Sequence, residues 1–77
     1  MFRSLSQYRQ LFESNPNAII GTELLAWALV ARDHRFCNTD NPEHEKLFRR
    51  YFGQYRERVM CGIEALRLLR VPKAARR

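Results

Sequence analysis

The chain is poor in the residues that usually announce a mechanism. It has 77 residues, with only two cysteines, three glycines and three prolines. Cys37 and Cys61 are too few for a disulfide framework, which points to reduced thiols and an intracellular setting, cytoplasm or organelle matrix. Gly21, Gly53 and Gly62 stand far apart, so no glycine-rich phosphate loop or nucleophile elbow is present. With no catalytic motif and no cofactor fingerprint, the expectation is a non-enzymatic protein that needs no cofactor. No apolar run of signal-peptide length follows Met1. The longest apolar stretch, Ala18 to Ala31, covers 14 residues including Glu23, short of the about 20 that a membrane span needs. A transmembrane segment is therefore not expected. Repeats and glycine- or serine-rich linkers are also missing, which leaves a single domain.

Acidic residues run out along the chain. The net charge is +6, but residues 1–41 balance Arg3, Arg9, Arg32 and Arg35 against Glu13, Glu23, Asp33 and Asp40. The whole excess falls in residues 42–77, and no acid follows Glu64. Twelve of the 14 basic residues are arginine, whose planar fork suits carboxylates and phosphates better than a lysine point charge does. This composition favours an acidic or phosphate-bearing partner.

What is present is a folded chain, 45% apolar with nine aromatic residues. Its most periodic stretch is Pro42 to Val71. Phe48, Phe52, Tyr55, Val59, Ile63, Leu66 and Leu69 follow at spacings of three and four, which predicts one long helix with a single apolar stripe. Asn41 before Pro42 supplies a cap and a proline at the first helical position, and Pro72 ends the helix. Gly53 lies outside the stripe and marks where a break would fall. Met60, Cys61 and Leu68 lie off the stripe, giving the helix a second apolar face that asks for a partner.

Two shorter helices are expected before it. Phe2, Leu5 and Phe12 give residues 2–14 one apolar face. Residues 17–35 are apolar nearly all round, and Trp27 is the expected anchor of a buried helix. The predicted fold is thus all-α, a three-helix arrangement with a buried central helix and a long C-terminal helix. Residues 1–71 form the domain, with helices near 2–14, 17–35 and 42–71, and residues 72–77 form a basic tail. So small a domain covers a central helix incompletely, and a second copy of the chain would be one way to complete it.

Asp33, His34, Cys37 and His44 crowd the second linker. Their spacing matches no zinc-finger or ribbon pattern, so no metal site is assigned. The function expected is binding: a small basic helical protein docking on a larger protein or assembly with an acidic surface, as inhibitor or accessory subunit. The contact residues expected are Arg49, Arg56, Met60, Arg67, Leu68 and Arg70, with Lys73, Arg76 and Arg77 steering from the tail. The competing class is a DNA- or RNA-binding protein laying the same arginines on phosphates.

Overall fold

A computed structural model describes residues 1–70. It corrects the all-α three-helix expectation: the described residues form four helices and two small antiparallel two-stranded sheets. In order these are β1 (Phe2–Ser4), α1 (Leu5–Ser14), β2 (Ile19–Ile20), α2 (Thr22–His34), β3 (Phe36–Asn38), α3 (Pro42–Gln54), β4 (Met60–Cys61) and α4 (Gly62–Leu69).

The long C-terminal helix is two helices. The chain leaves α3 at Tyr55 (φ −107°, ψ 11°), crosses a turn, and enters β4 before α4 begins. A continuous helix would have kept Tyr55, Val59 and Ile63 on one buried stripe. Instead Tyr55 and Met60 are buried, while Val59 is 77% exposed and Ile63 42%. The reason is non-local. Ile19 and Ile20 pair with Cys61 and Met60, and that ladder turns Ile20 and Met60 into the core together. Gly53, a weak helix former, is the last glycine before the break.

The first helix also starts later than its apolar spacing suggests. Ser4 closes a capping box with Gln7: its hydroxyl accepts from the Gln7 N–H at 3.2 Å, and Gln7 Oε1 accepts from the Ser4 N–H at 2.7 Å. Residues ahead of that cap are extended and pair with β3, with Arg3 opposite Cys37. The central helix is shorter too, because the β-branched pair Ile19 and Ile20 becomes strand. Leu25, Ala26, Ala28, Leu29, Val30 and Ala31 of α2 are all buried. Trp27 is only half-buried and stacks on Phe48 at 4.2 Å between ring centroids.

These elements form two β-α-β-α halves. Exchanging the halves maps β1 on β3 and β2 on β4, which are the two paired ladders. It also maps the α1–α4 interface on the α2–α3 interface, the two principal helix contacts. The chain is thus built as a topological repeat. Gly62 marks a close approach of the halves. A Cβ there would collide with the Asn15 carbonyl oxygen and stand 3.0 Å from that of Phe12. The Gly62 and Ile63 N–H groups donate to Ala18 and Pro16 at 3.1 and 3.0 Å, so α4 is pinned to the first half at its start.

A buried polar cluster joins the halves on the other side. The Arg32 and Asp33 side chains are each 2% exposed and pair at 3.0 Å. Arg32 also donates to the Tyr51 hydroxyl at 2.7 Å and, at 3.4 Å, to the Leu68 carbonyl near the C-terminus of α4. Tyr51 in turn donates to Asp33. Every polar atom of the cluster is thereby satisfied, as low-dielectric burial demands.

Candidate functional site

The most distinctive surface feature is a groove between α2 and α3. It is lined by Glu23, Phe48, Arg49, Phe52, Gly53 and Arg56 and encloses about 330 Å³. The aromatic spacing of α3 creates it. Tyr51 and Tyr55 occupy the helix face that enters the core and are 4% and 5% exposed. Phe48 and Phe52, one stripe over, are left half-buried with ring centroids 5.7 Å apart. Trp27 backs Phe48 from α2 and fixes its plane. Gly53 adds no side chain at the rim, and nothing lies within 4 Å of where its Cβ would be.

Two arginines edge this aromatic floor. Arg49 reaches Glu45 only at 3.7 Å, with side chains 75% and 54% exposed, a geometry that contributes little at the surface. Arg56 has no acidic partner within ion-pair distance among the described residues. Arg58 is instead tethered over the Tyr55 ring at 5.5 Å. The groove therefore offers an apolar, π-rich floor and two cationic forks whose donors are largely free. Such a surface suits an apolar or aromatic side chain flanked by carboxylates.

The expected contact residues are divided by the fold. Arg49 and Arg56 come together at the groove. Met60 is in β4, 7% exposed and packed in the core, so it cannot belong to an outward apolar face. Leu68 is half-buried against the same core. The second apolar face of a long helix thus does not exist, because that helix is interrupted. Arg67 and Arg70 are exposed on and after α4, an element that no longer continues the α3 face. Lys73, Arg76 and Arg77 lie outside the described residues.

Phe48, Phe52 and Glu23 are the groove residues that sequence reasoning missed. The apolar spacing puts Phe48 and Phe52 on the core stripe, although Tyr51 and Tyr55 repeat the same four-residue spacing three positions on. Two neighbouring aromatic stripes on one helix exceed what a single core face can bury, and that surplus was the available signal.

The crowded second linker does not assemble a metal centre among the described residues. Cys37 is fully buried, with its sulfur 3.2 Å from the Tyr8 hydroxyl, and Asp33 is committed to Arg32 and Tyr51. Burial, then the Cys37 contact, raises the Tyr8 pKa above the usual phenol range. Tyr51 is raised by burial first and by its hydrogen bond to Asp33 second. His44 is 3% exposed, accepts from the Asn38 N–H at 3.0 Å through Nδ1, and stacks on His34 at 4.6 Å. Burial, followed by the nearby His34 charge, lowers its pKa.

No family model matches the chain, and comparison with curated proteins and with solved structures finds no match either. Among the described residues, no helix is long and apolar enough to cross a membrane.

Proposed function

We propose that this is a non-enzymatic binding protein that docks on a larger protein or assembly through the α2–α3 groove. The observation that carries the reading is the half-exposed Phe48–Phe52 pair with Arg49 and Arg56 at its edge. Aromatic and arginine side chains together are the residue types that concentrate binding energy at interface centres. The partner segment is an apolar or aromatic anchor beside acidic residues. The exposed arginines elsewhere, Arg50, Arg67 and Arg70, add long-range attraction to an acidic surface. Two unpaired thiols fit an intracellular setting, cytoplasm or organelle matrix.

The test is capture of partners from a nuclease-treated extract of the native source, washed at about 0.5 M salt, where phosphate contacts are strongly weakened. A stoichiometric protein retained by the unaltered chain and by Arg67→Glu, but lost with Arg49→Glu/Arg56→Glu, is the expected outcome. Retention by all three would remove the groove from the interaction. If only nucleic acid is recovered, and only in an untreated low-salt control, the groove reading gives way to DNA or RNA binding.

A further inference from the structure

A second cavity, on a different flank of α3, has a different chemistry. It is open to solvent, measures about 280 Å³ and is lined by His34, Glu43, Lys46, Leu47 and Arg50. Lys46 and Arg50 are one helical turn apart on α3, and His34 faces them from the last turn of α2. The side chains of these three make no ion pair and no hydrogen bond among the described residues. His34 is held in place because its ring stacks on buried His44, which is itself fixed by the Asn38 N–H. One carboxylate, Glu43, and the Leu47 side chain complete the lining.

We infer that this cavity binds a small phosphate monoester. Lys46 and Arg50 supply charge and donors to the phosphoryl oxygens, the fork of Arg50 spanning two of them. His34 adds a third donor. A bare inorganic ion would leave Leu47 and Glu43 idle, and Glu43 would oppose it. An ester uses both: its carbon skeleton lies on Leu47, and a hydroxyl of that skeleton donates to Glu43. The volume falls just below the usual range for ligand sites, which limits the body to roughly the size of one sugar. The site is separate from the groove, so Arg49 and Arg56 take no part.

The experiment is an amide and imidazole NMR titration of the whole chain with glucose 6-phosphate, run beside glucose, inorganic phosphate and sodium chloride at matched ionic strength. Saturable shifts at His34, Lys46, Leu47 and Arg50 with the ester, weaker with inorganic phosphate and missing with glucose and chloride, are expected. Lys46→Gln and Arg50→Gln, both exposed and therefore harmless to folding, should each weaken the ester about tenfold or more. Glu43→Gln should narrow the gap between ester and inorganic phosphate. Shifts that track ionic strength alone, or saturable binding indifferent to both glutamine variants, would overturn the site. Equal affinity for inorganic phosphate and ester would overturn the ester assignment.

Discussion

The two halves of this protein share a topology and almost nothing of its chemistry. The first, β1 to α2, carries balanced charge and contributes α2, the most buried helix. The second, β3 to α4, holds the exposed arginines of α3 and α4 and both cavities' basic residues. Two buried tyrosines, one on α1 and one on α3, show the divergence most sharply. Tyr8 of α1 and Tyr51 of α3 each send a hydroxyl across to the other half. The Tyr8 hydroxyl meets the Cys37 thiol, whereas Tyr51 completes the Arg32–Asp33 pair. Both halves supply core residues, but the excess positive charge is confined to the second.

That contrast can be broken most severely at Arg32. Arg32→Ala leaves Asp33 buried without its cation and the Leu68 carbonyl without this donor, and should cost about 3–5 kcal/mol in chemical denaturation. Within the same cluster, Tyr51→Phe removes one hydroxyl that serves two charged groups and should cost about 1–3 kcal/mol. Tyr8→Phe deletes only a contact to a thiol and should cost less than about 1 kcal/mol. Equal losses for the two tyrosines would mean that the polar joint is no stronger than the thiol contact.

The halves differ next at the glycines that begin α2 and α4. Gly21 precedes α2 in open space, while Gly62 opens α4 against first-half backbone. The same substitution should therefore act in opposite directions. Gly62→Ser forces backbone apart and should destabilise by about 1–3 kcal/mol or more. Gly21→Ser places a capping hydroxyl at a helix N-cap that now lacks one, and should be neutral or stabilising by a few tenths of a kcal/mol. Thermal midpoints of the two variants decide it, and destabilisation by both would deny that only one glycine is a packing residue.

Why the repeat stayed hidden in the sequence follows from these residues. Helical content was legible, because Asn41-Pro42 and the Phe48–Phe52–Tyr55 spacing are local signals. The strands were not. Each is two or three residues long and exists only through pairing with a partner 32 to 42 positions away, which no local period reports. Gly-x-Glu-x-Leu occurs at Gly21, Glu23 and Leu25 and again at Gly62, Glu64 and Leu66, yet the two glycines do different work. Of the expected contact residues, exposed arginines were legible from charge, but Met60 was misplaced as soon as the helix was drawn through residue 55.

A pH dependence separates the second half further. His44 opens the α3 helix with no counterpart in α1, and its Nδ1 accepts a main-chain hydrogen bond that protonation would destroy. Its folded pKa lies below the ordinary 6.5, from burial and from His34. The unfolded chain then takes up the proton first as the pH falls. The contribution of His44 is therefore intact above about pH 6.5 and is lost progressively below it, until the folded pKa is passed. Urea midpoints should fall on acidification through this window, and His44→Asn should flatten that part of the profile. A profile unchanged by the substitution would assign the acid sensitivity to other groups.

A last small effect is expected where one half hands over to the other. Helix α2 ends at Arg35 with φ 70°, the only described non-glycine residue at positive φ, whereas α4 ends at Arg70 with φ −82° and ψ −12°. A side chain in the left-handed region is strained by its Cβ, and glycine is the usual residue there. The strain is held because the Arg35 carbonyl accepts the Leu5 N–H at 2.9 Å, which fixes the β1–β3 ladder. Arg35→Gly relieves the Cβ while keeping that bond. The gain should be about 0.5–1 kcal/mol after the added freedom of the unfolded chain is subtracted. Arg70→Gly, in ordinary helical geometry, should give no gain and a small loss. If glycine stabilises neither position, the left-handed turn at Arg35 carries no strain and the two helix ends are energetically alike.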